Sequence, residues 1–386
     1  MPADMYEQLL QAPRAQLVEL ALAGLSRQGE LVARVVDSVQ RQVDDVIGAI
    51  RAKRIYLIGC GDSYFAALSA RYAFEQLTGI PTVALESMEF AQYALLPHDS
   101  LTIAISSGGE VSMTLQAGEH ARQSGVNVIG VTAQGDSRMA QELPCLVTDP
   151  GLSGSDYVDQ VALMLGNFSF SLAALYIAAI HIGRSRGYLD DQTAREAEAQ
   201  MKAAPAAIGR AMDRSADVHE HLEKASDEAD FYFLGAGPSY GVALFYQAKF
   251  FEQAQRPVYG VELEEFAHEQ FFLLRPNGDT HLWFIAPAGR SRERVREIMG
   301  GCREMGAHVI AVTTLDSEQI QEEANLTFAL EAKSEMFSPL ISVVPGELLG
   351  IHAFARWGGG ALSAAERRRQ MTISRRLTRK EDRGQP

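Results

Sequence analysis

Apolar positions follow two rhythms along the chain. Before residue 50 they recur at helical spacing, with polar residues between: Leu17, Leu20, Ala21 and Leu25, then Val35, Val36, Val39, Val43 and Ile47. Two helices are predicted there. From Ile55 onward the pattern changes to short apolar runs of strand length: Ile55–Ile58, Thr82–Leu85, Leu101–Ile105, Val128–Val131 and Phe231–Leu234. Stretches long enough for a helix follow several of them, the first ending near Thr78 and another near Ser124. Strands alternating with such helices predict an α/β fold, a parallel sheet covered on both faces.

The plan is written twice. IYLIGCGDSYFAA at Ile55 is mirrored by FYFLGAGPSYGVA at Phe231, an offset of 176 residues, and VIGVT at Val128 by VIAVT at Val309, an offset of 181. WFIAPAGRSRERV at Trp283 stands where IAISSGGEVSMTL stands in the first half. The repeat predicts two doubly wound parallel-sheet domains in tandem. The expected boundaries are N-terminal helices over 1–50, a first domain over 51–185, a helical linker over 186–228, a second domain over 229–350 and a C-terminal helix and tail over 351–386. Val161 to Ile182 lacks Asp, Glu, Lys and Arg and approaches membrane-spanning length, but it carries Gly166, Asn167, Ser169, Ser171 and His181. A buried core helix is expected, not a membrane span.

Composition narrows the function. The chain is 47% hydrophobic and 22% charged with a net charge of −14, which argues against nucleic acid as a partner. Cys60, Cys145 and Cys302 are far apart with no CxxC, fitting a reducing cytosol rather than a disulfide framework or zinc site. The polar N-terminus shows no secretory signal, so a cytoplasmic location is expected. No HExxH occurs and the carboxylates are scattered, so neither metal nor cofactor is expected.

In a doubly wound sheet, ligands sit beyond the carboxyl ends of the strands. Gly59–Tyr64 and Ser106–Thr114 leave two such ends. Gly61, Asp62, Ser63, Ser106, Ser107, Gly108, Gly109, Ser112 and Thr114 form the candidate substrate-binding set, in which Ser63, Ser106, Ser107 and Ser112 with the amides of Gly108 and Gly109 would offer donors to an anion, although Ser and Gly also serve as turns and caps. After Phe231–Leu234, GAGPSY is an incomplete GxGxxG, with Tyr240 at the third position. Glu252 and His268 follow, sixteen residues apart. A carboxylate and an imidazole are the pair that sugar enolisation needs, one moving a proton between carbons and one opening the ring. Taken singly, each reads as a solvated helix carboxylate or a loop histidine.

These residues resemble the double sugar-isomerase (SIS) family, in particular the isomerase half of glucosamine-6-phosphate synthase and the fructosamine-6-phosphate deglycases, over roughly residues 30–375. CGDSYFA at Cys60 is similar to CGTSYxA, with Asp62 in place of Thr. ISSGGEVSMT is similar to the phosphate loop ISQSGETADT, with Gly108 and Val111 replacing a Ser and a Thr. ALFYQAKFFE is similar to ALxGALKLKE, which places Lys249 and Glu252 on the family's Lys and catalytic Glu. EEFAHEQ is similar to GELKHGP and GEFxHGP, which places His268 on the ring-opening His, with Glu269-Gln270 in place of Gly-Pro. LLGIHAFARWGGGALSAAERRRQMTI aligns with the synthase's last segment and places Arg369 on its active-site Lys, with Arg367 and Arg368 beside it.

The resemblance implies flavodoxin-like domains and a homodimer in which His268 reaches the neighbour's site. It further implies a metal-independent aldose–ketose isomerase of an anionic sugar, working through an enediol. The lost Ser and Thr and the added Asp62 point to a phosphate held differently, with the arginines compensating, or to another acid such as a sulfonate. Two alternatives stay open: a deglycase or deaminase of an amino-sugar phosphate, and a non-catalytic sugar-binding regulator.

Overall fold

The structure is a computed structural model and describes residues 12–48, 50–152, 156–276, 278–358 and 364–379. Residues 1–11, where the first helix was expected to begin, and the ends of the C-terminal tail lie outside the described residues. In the first half, β1 (Arg54–Gly59), β2 (Thr82–Glu86), β3 (Ser100–Ile105), β4 (Asn127–Thr132) and β5 (Cys145–Val147) form one parallel sheet in the order β2-β1-β3-β4-β5. In the second half, β6 (Asp230–Gly235), β7 (Tyr259–Glu262), β8 (Thr280–Ala286), β9 (His308–Thr314) and β10 (Leu326–Leu330) form the order β10-β9-β8-β6-β7. Read from the opposite edge, this is the same topology, the flavodoxin-like order whose switch point lies between the first and third strands.

Burial explains the apolar runs. Every residue of β3 and of β8 is buried, so neither strand has a polar face. Leu57 of β1 lies opposite Ala84 and Ile103, and Phe233 of β6 lies opposite Gly260 and Trp283. One hydrophobic cluster runs through both halves, from Val35 and Leu57 through Phe168 and Tyr176 to Phe233, Trp283 and Leu348. Each such large side chain contributes about 1.5–3 kcal/mol on burial.

The charge-free stretch forms the helix Tyr157–Ser185, capped at its start by Asp156 and packed on the helices Arg14–Ser26, Gln28–Ile47 and Asp62–Thr78. Its most apolar window is 78% buried, as the sequence predicted of a core helix. Asp191–Met212 and Ser215–Lys224 complete the helical segment between the sheets.

One crossing positions the site. The helix Asp62–Thr78 after β1 packs on its counterpart Pro238–Lys249 after β6. At the crossing a Cβ on Gly241 would collide with the backbone carbonyl of Phe65 and with Ser69, so only glycine admits this approach. The start of the first helix is thereby brought to the end of the second.

Candidate active site

Lys249 is the hub of the described site. It lies in the last turn of Pro238–Lys249, and its Nζ donates to Asp62 Oδ2 at 2.9 Å and to Glu252 Oε2 at 2.7 Å. Its side chain is only 11% exposed. Burial opposes the ammonium charge, but the carboxylates of Asp62 and Glu252 outweigh it and hold Lys249 above the ordinary lysine range. Both helix dipoles favour the pair, since Asp62 sits in the first turn of its helix and Lys249 in the last turn of its own.

Glu252 does not continue the α-helix. Phe250–Ala254 is a π turn, ended by Gln255 at φ +55°. Such turns recur at functional sites because they re-aim a side chain. Here Glu252 stays 60% exposed while anchored through one oxygen to Lys249. An ionised carboxylate beside a fixed ammonium, open on one side, can take a proton from a carbon acid, and the ammonium offsets charge growing on the neighbouring oxygen.

At the first half's switch point, Cys60 Sγ donates to Glu86 Oε1 at 3.1 Å and lies 3.7 Å from Thr114 Oγ1, which is 3.0 Å from Ser87 Oγ. Burial pushes the Cys60 thiol above its ordinary range. Thr114 is fully buried in this cluster. Glu86 also caps the helix Ser87–Tyr93 with its own carboxylate, accepting from the amides of Met88 and Glu89 at 2.7 and 3.2 Å. Glu262 does the same for Leu263–His268, accepting from Glu264 and Glu265 at 2.7 and 3.2 Å.

The Ser106–Val111 loop is pinned from behind. Glu110 Oε1 accepts from the Arg138 amide at 2.9 Å, and the Gly109 carbonyl accepts from the Met139 amide at 3.1 Å. Ser106 is buried and its hydroxyl has no hydrogen-bond partner. Ser107 and Gly108 face a cavity of about 760 Å³ shared with the ends of β4 and β5 and with the helix Tyr157–Ser185. Gly61 is exposed, and Asp62, Ser63 and Ser112 are half-buried. None of these four lines that cavity, nor do Lys249 and Glu252. The two predicted loops thus have different surroundings: the first meets Lys249, the second the cavity.

His268 ends the helix Leu263–His268 and is 68% exposed, with Nε2 3.2 Å from Glu264 Oε1. Glu264 is gripped in turn by Arg294, at 2.7 and 2.9 Å. Within one chain His268 is paired with Glu264 rather than with Glu252. Arg369 is exposed on the helix Ala364–Thr378 and does not line the cavity, whereas Arg379, just beyond that helix, does. The side chain of Arg367 lies outside the described residues.

Reading the sequence missed three features: the Glu86 and Glu262 caps, the Asp62–Lys249 bond and Arg379. A signal for the first was present, because VALESMEFAQ at Val83 repeats as YGVELEEFAH near Tyr259 at the same offset of 176. That match sets Gln92 opposite His268.

Known proteins share this fold. The family model of the SIS domain matches residues 50–163 and 226–356. A glutamine–fructose-6-phosphate aminotransferase (isomerizing) of Gloeobacter violaceus is 28% identical over 340 residues, covering 83% of this chain but 54% of its own length. The chain thus spans about half of that relative. Among solved structures, the C-terminal domain of glucosamine-fructose-6-phosphate aminotransferase from Francisella tularensis superposes with a TM-score of 0.74 at 20% identity, covering 87% of this chain and 95% of that one. Glucosamine-6-phosphate deaminase from Thermotoga maritima superposes with a TM-score of 0.65 at 20% identity, covering 89% and 96%. With two matched segments, each holding one five-stranded parallel sheet, the chain belongs to the SIS domain family and carries the domain twice.

Proposed function

We propose that the chain is a metal-independent aldose–ketose isomerase of an anionic sugar, acting in the cytosol as a homodimer. The observation that carries this reading is Glu252, set on a π turn and held through Lys249 to Asp62 of the other half. Glu252 takes a proton from one carbon of the C1–C2 pair and returns it to the other through an enediol. Lys249 holds the carboxylate in place and offsets the enediolate charge. His268, donated by a second copy, opens the ring by moving a proton from the anomeric hydroxyl to the ring oxygen. Its exposure supports this, as do Phe272 and Leu273, 82% and 58% exposed a few residues beyond it. Ser106, Ser107 and Ser112 with the amides of Gly108 and Gly109 hold the anionic group.

A second reading, loss of an amine from an amino-sugar phosphate, is favoured by Asp62, an extra carboxylate that can pair with a substrate ammonium. The test is proton–deuterium exchange at C1 and C2 of hexose 6-phosphates and their amino-sugar counterparts, followed by NMR in D₂O for wild type and Glu252→Gln. Exchange that disappears in the variant supports enolisation, and ammonia release with one substrate selects the second reading. Measurable binding without exchange refutes both and leaves a sugar-binding regulator.

A further inference from the structure

Arg379 lies one residue beyond the helix Ala364–Thr378, ten residues past the position that the resemblance singles out. Its guanidinium lies beside Gly108, where an added Cβ would be 3.8 Å from one of its terminal nitrogens. It lines the same cavity of about 760 Å³ as Ser107 and Gly108. The other charged groups among the described lining residues are Asp136 and Asp149. Asp149 Oδ1 is already occupied by the Gly151 amide at 2.8 Å. Among the described residues no carboxylate forms an ion pair with Arg379.

We propose that Arg379 selects the anionic substrate, its guanidinium supplying at the loop the donors that Gly108 and Val111 do not. The proposal rests on the anionic-sugar reading above and deepens it. Three features on the page converge. The loop has Gly and Val at 108 and 111, so neither of these positions offers a hydroxyl. The missing side chain at 108 leaves the space that the guanidinium approaches. Without Arg379, the cavity's charged lining would be wholly acidic and would repel an anion. A guanidinium suits the task because its planar fork matches two oxygens of a phosphate or sulfonate, and its charge-assisted bonds are about twice as strong as neutral ones.

The test is isothermal titration of the full chain with fructose 6-phosphate and with fructose, for wild type, Arg379→Ala, Arg379→Lys and Arg379→Ala combined with Gly108→Ser. Expected is a loss of about tenfold or more in affinity for the phosphate in Arg379→Ala, with binding of fructose unchanged. Lysine recovers part of the loss, and so does the serine at 108, which returns a hydroxyl to the loop. Equal affinity of wild type and Arg379→Ala for fructose 6-phosphate overturns the proposal while leaving the anionic-sugar reading intact. If wild type binds the phosphate no better than fructose, that reading fails and the proposal falls with it.

Discussion

Glu347→Gln should stabilise the protein, and by an amount that grows with pH. Glu347 lies on the helix Val344–Trp357, is 1% exposed, and its Oε1 accepts from Gln28 Nε2 at 2.7 Å. Glu347 Oε2 and Gln28 Oε1 are both buried without partners. A single proton on Oε2 lets it donate to the amide oxygen, closing an acid–amide pair with two hydrogen bonds. Burial pushes the Glu347 carboxyl up to about 8, and Asp62 adds to this while Gln28 and Lys249 oppose it. The folded state therefore holds a proton that the unfolded chain has released above its ordinary value of 4.5. The stability this proton contributes is complete below pH 4.5 and is lost as pH rises toward 8. The slope is about 1.4 kcal/mol per pH unit, or about 5 kcal/mol across the whole window. Glutamine does not titrate, and an amide–amide pair closes the same two bonds. The measurement is urea unfolding at fixed protein concentration from pH 5 to 8.5, read from the fluorescence of buried Trp283. The variant should gain little at pH 5 and several kcal/mol at pH 8. A difference that does not vary with pH, or a variant less stable at pH 8, refutes the reasoning.

Three further outcomes are expected. On the acid side, burial pushes His221 down to about 3 and His352 to about 4, so below the ordinary 6.5 the unfolded chain binds protons that the folded one refuses. Stability should therefore fall at about 1.4 kcal/mol per pH unit for each histidine, and His221→Gln should remove one such increment from unfolding curves between pH 6.5 and 4. Gly241→Ala drives a Cβ into Phe65 and Ser69 and should cost about 1–3 kcal/mol in thermal or urea unfolding. It should also lower exchange activity by moving Lys249 away from Asp62, so a variant with both properties intact would remove the crossing from the argument. Finally, Glu252→Gln and His268→Ala chains, each inactive alone, should recover roughly a quarter of wild-type exchange when mixed and allowed to reassort, because half of the dimers then carry one complete site. Mixtures as inactive as their parents would place His268 in its own chain's site.

The fold could be read because its strands are buried on both faces. β3 and β8 cannot be anything but continuous apolar runs, and the duplicated run-turn-helix fixed their neighbours. The strands left uncalled are those without that constraint: β7 and β10 are partly exposed edge strands, and β5 has three residues. Within the site, Glu252 and His268 stood out by spacing and resemblance. The Asp62–Lys249 bond did not, since it joins residues 187 apart through a helix crossing that no local pattern encodes. For the same reason Arg379 was not singled out: which cation of an arginine-rich tail lines the cavity depends on where the tail helix lies, and that is set by packing rather than by pattern.

The duplication did not copy the Lys249 cluster. At the offset of 176, the first-half residues facing Lys249 and Glu252 are Ala73 and Gln76, and the residue facing Asp62 is Pro238. The crossing therefore carries a Lys–Asp–Glu cluster at one end and no counterpart at the other. The second half's loop has gone further. Gly289 stands where Gly109 stands in the first half, and the space beside it holds the carboxylate of Glu335, which accepts from the Arg290 amide at 3.3 Å. A side-chain carboxylate thus sits on the loop that corresponds to the candidate anion loop of the first half. Of the candidate site residues, Lys249, Glu252 and His268 lie in the second domain, and the candidate anion loop and Asp62 in the first. The proposed chemistry draws on residues of both halves, so on that reading the close approach that Gly241 permits belongs to the site as well as to the fold.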